Sequence, residues 1–399
     1  MIYIIGTQIN EYEKMSVEAI NIIKNSDFFV GFKHSLSTAR KINEFAKYRE
    51  LEIRDSLLNE RITEMIEELR KYKNSVLCVA GNPLIFSYAK KIMEKLNKDE
   101  YVILPTPSSV IYLCAKHKIW VNDMVLVSGH NAEDILTPQT ETIKYLNAGK
   151  PVGYFVKNLD DYYNLMKRLK NINCRVYGGY ELGTKKEYLF SFIPNEFIQL
   201  KKGRLILFIK PLEKNFFNMF PKNEELNVKN IPVSRDWSRA LIINSMNLKY
   251  DQIVWDLGSG SGATSIWISS LLGNKGRVYS IEKNIERYEK LNENVSIYPN
   301  IITINNSYEN VVDKIPSPDL IHFGGGINFE SIKKVINSIK RGTNFVGAIT
   351  TIESLNVFSK IDNIEYEIEM YTKSKSKKIG EKTTFIGEHV LYIIKGVKV

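Results

Sequence analysis

The sequence predicts an α/β protein made of two units, and three observations carry that prediction. Short apolar strands alternate with helix-compatible segments along residues 1–211 and again along residues 231–399. Residues 212–230, between the two stretches, follow neither the helical nor the strand period and are predicted to be a linker. The length of 399 residues also exceeds what one typical core requires.

In the first unit, strands and helices are predicted to alternate from the first residue onward. The strands are MIYIIG, DFFVG, a short one around LEIRD, SVLCVAG and YVILP. The helices are SVEAINIIKNS, with Ser16 as its N-cap, SLSTARKINEFAKY, residues 59–72, PLIFSYAKKIMEKL and the apolar segment after TPSS. A second half begins near Trp120 and continues through MVLVSGH, TIKYLNAG, PVGYFV, DDYYNLMKRL, CRVYGGYE, YLFSFI and RLILFI.

In the second unit, a leading helix, SRDWSRALIINSM, precedes a series of strands. These strands are VWDLG, RVYSIE, NIITINN, LIHFGG and NFVGAIT. The chain closes with IEYEIEMYTK and HVLYIIKG, which are predicted to pair antiparallel at the edge of the sheet. Three aromatic residues of the linker, Phe216, Phe217 and Phe220, argue against a free tether and are expected to pack on one of the units.

Composition narrows the class of protein. A hydrophobic content of 44% and a charged content of 25% are typical of a soluble globular chain. No run of about 18 apolar residues is present, so no transmembrane helix is expected. An apolar strand without a basic leader at the N-terminus argues against a signal peptide. Because Cys78, Cys114 and Cys174 are isolated, they predict neither a disulfide framework nor a metal site, and a reducing cytoplasm is expected.

The formal net charge of +10 has three interpretations. It would suit a nucleic-acid partner, a small polyanionic substrate attracted by the field of the protein, or a surface simply coated with lysine. The clearest basic cluster, KSKSKK, runs from Lys373 to Lys378. Because no aromatic residues are interleaved with these lysines, base stacking is not indicated.

Residues 252–262, QIVWDLGSGSG, contain the motif with the most chemical meaning. An apolar strand runs into Asp256 and then into glycines at alternate positions, and Glu282 stands at the end of the next predicted strand. Glycines let a nucleoside approach the backbone closely, and the distant acid can accept both ribose hydroxyls. The candidate cofactor-binding residues in this motif are Asp256, Gly258, Ser259, Gly260, Gly262 and Glu282.

The glycine spacing separates two classes of nucleoside site. A dinucleotide site has the pattern GxGxxG, which places a helix N-terminus against a pyrophosphate. The pattern DxGxGxG in this chain resembles instead the first motif of class I methyltransferases, which bind S-adenosylmethionine (SAM). A glycine-rich turn without any ligand is the alternative interpretation.

Three neighbouring segments supply further candidates. Ser234 opens the leading helix and is either its N-cap or a hydroxyl that contacts SAM or the substrate. Asn306 or Ser307 follows the third strand and is expected to edge the adenine. Gly324 and Gly325 either leave room for a bulky, flat substrate or form a flexible loop. His322, just before them, is expected to be packed rather than catalytic.

The second unit resembles a known family through SRDWSRA, DLGSGSGATSIWIS, RVYSIEKNIERYEKLNEN and PDLIHFGGG. These segments resemble the C-15 methylating, C-12-acetate decarboxylating domain of cobalamin biosynthesis. The family pattern has Thr in place of Ser234, Gly-Asp-Ala-Pro in place of Asn305 to Tyr308, and Asn-Pro-Val in place of Glu388-His389-Val390.

The first unit resembles the tetrapyrrole C-5 methylase that is often fused ahead of that domain. The matching segments are SVEAINIIKNSDFFVGFKHSL, VAGNPLIFSYA, PTPSSVIYLCAKHKIWVNDMVLVSGHN and YELGTKKEY. The whole chain therefore resembles the precorrin-6Y C-5,15-methyltransferase (decarboxylating) family. This resemblance implies an N-terminal two-lobed tetrapyrrole methylase fold and a C-terminal Rossmann-like class I SAM methyltransferase fold.

The loops of the first unit depart from the family pattern. Where the family has Gly-x-Gly-Pro-Gly, this chain has Gly6-Thr7-Gln8-Ile9-Asn10. The Gly-Asp-Pro loop of the family is Gly81-Asn82-Pro83 here, and the small glycine that follows it in the family is replaced by Ser87. The family's Ser-x-His-Gly-Arg is Ser128-Gly129-His130-Asn131, without the arginine. The loss of the Gly-Asp-Pro carboxylate removes a strong acceptor. The cleft candidates that the resemblance implies are Gly81, Asn82, Pro83 and Ser109.

The resemblance implies SAM-dependent methylation of a precorrin or cobalt-precorrin at C-5 and C-15, with decarboxylation of the C-12 acetate. It implies SAM as cofactor, a polycarboxylate tetrapyrrole as substrate, with or without cobalt, and a homo-oligomer. No membrane partner and no metal site in the protein are expected, and a nucleic-acid partner is not favoured. Lysines and arginines around a cleft would pair with the substrate carboxylates. Two alternatives stay open: the first unit is a non-catalytic binding module, or the chain is an RNA methyltransferase.

Overall fold

The computed structural model describes residues 1–7, 15–52, 59–130, 134–196, 198–212, 218–387 and 390–399. They form two compact units, one made of Met1–Glu133 and Tyr145–Asn215, the other of Asp134–Lys144 and Phe216–Val399. In the described ranges, no helix combines the length and the hydropathy needed to cross a membrane.

The first unit begins with a parallel sheet in the order β3-β2-β4-β1-β5. Its strands are β1 (Ile2–Thr7), β2 (Phe28–Phe32), β3 (Lys47–Leu51), β4 (Ser75–Ala80) and β5 (Tyr101–Leu104). Its helices are α1 (Val17–Lys24), α2 (Lys33–Ile42), α3 (Asn59–Arg70) and α4 (Ala89–Met93). The central strands are buried almost throughout, as expected when both faces of a parallel sheet are covered.

A second sheet, in the order β6-β7-β10-β8-β9, completes the first unit. Its strands are β6 (Val125–Ser128), β7 (Val152–Phe155), β8 (Cys174–Tyr180), β9 (Tyr188–Phe192) and β10 (Leu205–Pro211). The helices that follow α4 are α5 (Ser109–Lys116), α6 (Leu136–Asn147) and α7 (Leu159–Leu169), and most of α6 belongs to the second unit. Two α/β lobes within this unit confirm the predicted architecture.

The second unit is built on a seven-stranded sheet in the order β13-β12-β11-β14-β15-β19-β16. Its strands are β11 (Ile253–Leu257), β12 (Arg277–Glu282), β13 (Ile301–Asn305), β14 (Leu320–Phe323), β15 (Asn344–Ile349), β16 (Ile364–Tyr371) and β19 (Leu391–Lys398). Its helices are α8 (Asp236–Met246), α9 (Ala263–Leu271), α10 (Ile285–Val295), α11 (Phe329–Ser338) and α12 (Ile352–Phe358). The strand order reverses between β11 and β14, which makes that edge the expected ligand site.

Side chains of β11 alternate between two apolar clusters, one on each face of this sheet. Trp255 and Leu257 pack with α11 and α12, whereas Val254 packs with α8 and α9. The predicted edge pair is confirmed, because β19 runs antiparallel to both β15 and β16. A separate hairpin, β17 (Ser374–Ile379) and β18 (Lys382–Gly387), was not predicted; it turns at Gly380.

Two predicted helices of the first unit are shorter than expected, and local contacts explain both. The helix predicted to reach Tyr48 ends at Ile42, because the Asn43 side chain accepts hydrogen bonds from the next backbone N–H groups. The helix predicted from Pro83 begins only at α4. Phe86 has a left-handed backbone with φ of 47°, which no α-helix accommodates.

The expectation that the linker aromatics pack on one of the units can be tested at Phe220. Its ring lies 5.0 Å from the ring of Trp267, between centroids, so this aromatic residue does pack on the second unit. The carbonyl of Pro221 also accepts a hydrogen bond from Trp267 Nε1 at 3.1 Å. Phe216 and Phe217 lie outside the described residues.

Candidate functional site

The glycine loop after β11 is held against two neighbouring segments. The N–H groups of Gly258 and Ser259 donate to the carbonyl of Ile281 at 2.9 and 3.1 Å. A Cβ on Gly258 would lie 2.4 Å from the Gly325 carbonyl oxygen, so only glycine fits between the two turns. A Cβ on Gly260 would meet nothing closer than 3.8 Å, and space is therefore open beside this residue.

Gly262 has a different role from the other two glycines. It caps the start of α9, and a Cβ there would lie 2.5 Å from Leu291 Cδ1. Gly262 therefore lets α9 and α10 approach each other, which is a packing role. Its prediction as a cofactor contact stays a prediction.

Glu282 stands at the end of β12 and is 4% exposed. Its two oxygens accept hydrogen bonds from the N–H of Gly260 at 3.0 Å and from the N–H of Asn284 at 2.9 Å. Each carboxylate oxygen can accept more than one hydrogen bond, so both retain capacity for a ligand hydroxyl. The carboxylate is thereby fixed in place at the mouth of the glycine loop.

Two cavities meet at this loop. The Glu282 cavity, of about 80 Å³, is lined among others by Gly258, Glu282, Arg287, Asn306, Ser307 and Gly325. The Ser234 cavity, of about 820 Å³, is lined among others by Ser234, Asp256, Gly258, Ser259, Gly260, Arg287, Gly324 and Gly325. Most of the residues predicted for this unit are thus brought together at the carboxyl ends of β11, β12 and β14.

The N-cap interpretation of Ser234 is wrong. Helix α8 begins at Asp236, and its N-cap residue is Arg235, which makes no side-chain capping bond. The Ser234 carbonyl accepts a hydrogen bond from Asn223 Nδ2 at 3.3 Å, and the residue lines the Ser234 cavity. The remaining interpretation of Ser234 is a ligand contact.

Asp256 and His322 form a buried pair on the floor of the Ser234 cavity. They face each other across β11 and β14, and His322 Nδ1 lies 2.8 Å from Asp256 Oδ1. Asp256 also accepts a hydrogen bond from Ser265 Oγ. His322 is 2% exposed, in agreement with the expectation that it is packed, and its Nε2 has no partner among the described residues.

The triple-glycine turn after β14 is held in place. The N–H of Gly324 donates to the Leu257 carbonyl at 2.9 Å, and the Tyr308 hydroxyl donates to the Gly326 carbonyl at 2.9 Å. Burial raises the pKa of Tyr308 to about 12, so its hydroxyl keeps its proton at neutral pH. These contacts disfavour the flexible-loop interpretation of Gly324 and Gly325.

Several lining residues were not predicted from the sequence. Arg287, on the first turn of α10, lines both cavities. Trp237, Thr350 and Tyr392 line the Ser234 cavity from α8, from the end of β15 and from β19. Of these residues, only Arg287 could have been found from the sequence, because it stands five residues after Glu282, where a helix begins.

The cleft candidates of the first unit adopt a closed arrangement. Asn82 Nδ2 donates to the Thr106 carbonyl at 2.6 Å, and Asn82 Oδ1 accepts from the Leu84 N–H at 2.9 Å. The Gly81 carbonyl accepts from Thr106 Oγ1 at 2.8 Å, and a Cβ on Gly81 would lie 3.9 Å from the Ser109 N. Helix α5 is capped by Ser108 rather than by Ser109.

Parts of the predicted loops lie outside the described residues: Gln8 to Asn10, Asn131, and Glu388 with His389. Pro83 lies in the turn that the Asn82 side chain and carbonyl hold, and its place at the cleft stays a prediction. Among the described side chains, no cluster of three or more His, Cys, Asp or Glu residues is placed to hold a metal ion. The three cysteines are buried and free.

Two family models match the chain, one on each unit. Residues 1–192 match the model of tetrapyrrole (corrin/porphyrin) methylases. Residues 229–394 match the model of the precorrin methyltransferase domain.

Curated relatives and solved structures are similar to parts of this chain. A probable cobalt-precorrin-6B C(15)-methyltransferase (decarboxylating) of Saccharolobus solfataricus is 30% identical over 193 residues, which are 45% of this chain and 94% of the relative. The structure of precorrin-6Y C5,15-methyltransferase from Geobacter metallireducens is 22% identical, covers 46% of this chain and all of its own, and has a TM-score of 0.41. A precorrin-6Y methylase from Archaeoglobus fulgidus is 23% identical, covers 53% of this chain and 99% of its own, and has a TM-score of 0.40.

Proposed function

The chain belongs to the precorrin methyltransferase family, and on that premise we propose a SAM-dependent, decarboxylating methyltransferase of cobalamin biosynthesis. The second unit methylates a precorrin or cobalt-precorrin at C-15 and removes the carboxyl group of the C-12 acetate as carbon dioxide. The first unit methylates C-5. The observation that carries this proposal is the convergence of the glycine loop, Glu282 and Ser234 around two joined cavities.

The residues at the glycine loop fit SAM in two independent ways. Open space lies beside Gly260, where a side chain would otherwise stand. Ser259 Oγ is buried and has no hydrogen-bond partner among the described residues, which leaves a polar atom for a ligand to satisfy. Glu282 would accept the ribose hydroxyls, Asn306 or Ser307 would edge the adenine, and Ser234 would contact the amino-acid end or the substrate.

Positioning is the main catalytic task of this site. The sulfonium of SAM supplies an activated methyl group, so an acceptor carbon that is already nucleophilic requires little acid or base help. Rate then depends on in-line placement and on the exclusion of water. Gly324 and Gly325 carry no side chains above the Ser234 cavity, which leaves room for the edge of a flat macrocycle.

The first unit is proposed to carry the methylation at C-5, with Gly81, Asn82, Pro83 and Ser109 at its cleft. The match of residues 1–192 to tetrapyrrole methylases supports this role over a purely non-catalytic module. Neither family match favours an RNA methyltransferase. The boundaries 1–211, 212–230 and 231–399, a cytoplasmic location and a homo-oligomer stay predictions.

The test is an incubation of the full chain with SAM and a late precorrin, with the products analysed by mass spectrometry. A gain of two methyl groups with loss of carbon dioxide is expected. A gain of one methyl group with that loss would mean that the first unit is silent. No mass change, from protein that binds SAM in calorimetry, would contradict the proposed substrate class.

A further inference from the structure

A third cavity, of about 530 Å³, lies beside the Ser234 cavity and is rich in cations. It is lined by Asn223, Glu224, Arg235, Asp236, Trp237, Lys373, Lys375 and Gly387. Of its two acidic residues, Asp236 is already paired with the buried guanidinium of Arg239. We call this space the basic cavity, and its cations are suited to an anionic ligand.

The lysines of the basic cavity come from β17 and from the residue just before it. Lys375 lies on β17, Lys373 immediately precedes the first residue of that strand, Ser374, and both lysines line the basic cavity. Lys378, three residues beyond Lys375, projects to the opposite side of the strand. The strand thus presents part of KSKSKK to the cavity in a defined row rather than as a diffuse charge.

Trp237 supplies a flat surface in the same place. It is half-buried against the apolar cluster under α8, and Lys373 Nζ lies 5.6 Å from its ring centroid. An indole that is held on one side by the core can stack a planar ligand on its other side, and a ligand bound there would replace the contact with Lys373. The basic cavity therefore joins an aromatic face to several cations.

The basic cavity and the Ser234 cavity share Arg235 and Trp237 as lining residues. A ligand long enough to occupy both would reach from the glycine loop to the lysine row. Arginine matches a carboxylate with two parallel hydrogen bonds, and lysine adds point charges. The chemistry that fits is a planar ring bearing several carboxylates.

We propose that the basic cavity is the subsite that binds the acidic side chains of the macrocycle, with Arg235, Lys373 and Lys375 pairing with carboxylates and Trp237 stacking on the ring. This inference rests on the proposed function and adds to it the residues that recognise the substrate. They are recruited from α8 and from the hairpin, away from the glycine loop.

The test compares Lys375→Gln with Lys378→Gln in the full chain. Both variants remove one exposed lysine from β17, and only Lys375 lines the basic cavity. Lys375→Gln is expected to raise the KM for a late precorrin about threefold to tenfold with little change in kcat, because one charged contact is lost. Lys378→Gln is expected to leave KM within about twofold. Arg235→Gln should raise KM by about tenfold or more, because arginine can bind a carboxylate in bidentate fashion.

A binding experiment provides the second measurement. Uroporphyrin, a planar tetrapyrrole with acetate and propionate side chains, is titrated into each variant and followed by its fluorescence, with coproporphyrin, which lacks the acetates, for comparison. We expect uroporphyrin to bind more tightly than coproporphyrin, and to lose affinity in Lys375→Gln but not in Lys378→Gln.

Equal losses of affinity in both variants would mean a general effect of the protein's positive charge and would overturn the subsite. Turnover of the precorrin with unchanged KM in all variants would also overturn it while leaving the proposed function intact. No turnover by the wild type, with SAM still bound, would refute both.

Discussion

The two glycine loops of the chain, one in each unit, look alike in backbone and differ in what their polar groups do. Gly81 follows β4 and Gly258 follows β11, and both have left-handed backbones with φ of 70° and 75°. At the second loop, Glu282 and the backbone of Gly260 line joined cavities. At the first loop, both polar atoms of the Asn82 side chain are already hydrogen-bonded, Oδ1 to the Leu84 N–H within the turn and Nδ2 to the Thr106 carbonyl of a neighbouring segment. A glycine pattern therefore marks a tight turn, and only the remaining polar groups mark a site.

The first loop is also filled by its neighbour. A Cβ on Gly6 would lie 2.0 Å from Thr106 Oγ1 and 2.1 Å from the Gly81 carbonyl oxygen, so three segments already meet there. In the second unit, the corresponding close approach, between Gly258 and Gly325, leaves space beside Gly260. Glycine therefore allows a close contact in both loops, and open space beside the contact is seen at Gly260 of the second loop.

The largest effect is expected from Gly258→Ala. The new Cβ would collide with the Gly325 carbonyl and sit on a left-handed backbone, so we expect about 2–4 kcal/mol of destabilisation and loss of SAM binding. Gly342→Ala is the control, because Gly342 has φ of 85° and open space around its Cβ position. It should cost about 1–2 kcal/mol and leave SAM binding intact. Denaturant unfolding and calorimetry measure both quantities, and SAM affinity retained in Gly258→Ala would refute the open-loop interpretation.

Glu282→Gln tests the acid that distinguishes the second loop. Glutamine keeps one acceptor for a backbone N–H and loses the charged partner of the ribose hydroxyls. We expect the Kd for SAM to rise about tenfold to a hundredfold. Glu286→Gln, at an exposed position paired with Lys290 on α10, should leave that Kd unchanged. Equal affinities in the two variants would show that Glu282 does not hold the nucleoside.

Asn82→Asp asks whether the missing family carboxylate would open the first loop. Aspartate can still accept from the Leu84 N–H, but it places a negative oxygen against the Thr106 carbonyl, where the amide now donates. We expect a cost of about 1–3 kcal/mol to the first unit and no gain in SAM bound per chain. Asn21→Asp, on the exposed face of α1, adds the same charge without losing that bond. A gain of SAM stoichiometry in Asn82→Asp would mean that the wild-type first unit binds no SAM, and it would contradict the proposed methylation of C-5.

These contrasts explain how far the sequence could predict the site. Gly258, Gly260 and Glu282 lie within one strand–loop–helix–strand unit, so their spacing alone predicts that they meet. The cluster KSKSKK is visible in the sequence, but its placement beside Trp237 could not be predicted, because the β17–β18 hairpin and the start of α8 are brought together only by tertiary packing. In the first unit, the sequence predicts a glycine turn at Gly81 correctly. It cannot predict that the Asn82 amide donates its hydrogen bond to the carbonyl of Thr106, a residue 24 positions away.

The smallest effect is expected from Ser234→Ala, which separates a structural role of this side chain from a ligand contact. If Ser234 were the cap of α8, its loss would cost about 1 kcal/mol of stability. Because Arg235 occupies the N-cap position, we expect a loss of stability of less than about 0.5 kcal/mol, together with a roughly threefold weaker affinity for SAM.

Ser16→Ala is the matched control in the first unit, where Ser16 Oγ does accept from the Ala19 N–H at 3.1 Å. That variant should lose about 1 kcal/mol and keep SAM affinity at the second unit. A reversed outcome, in which Ser234→Ala destabilises the fold without changing SAM binding, would return Ser234 to a structural role and leave Glu282 as the main polar anchor of the site.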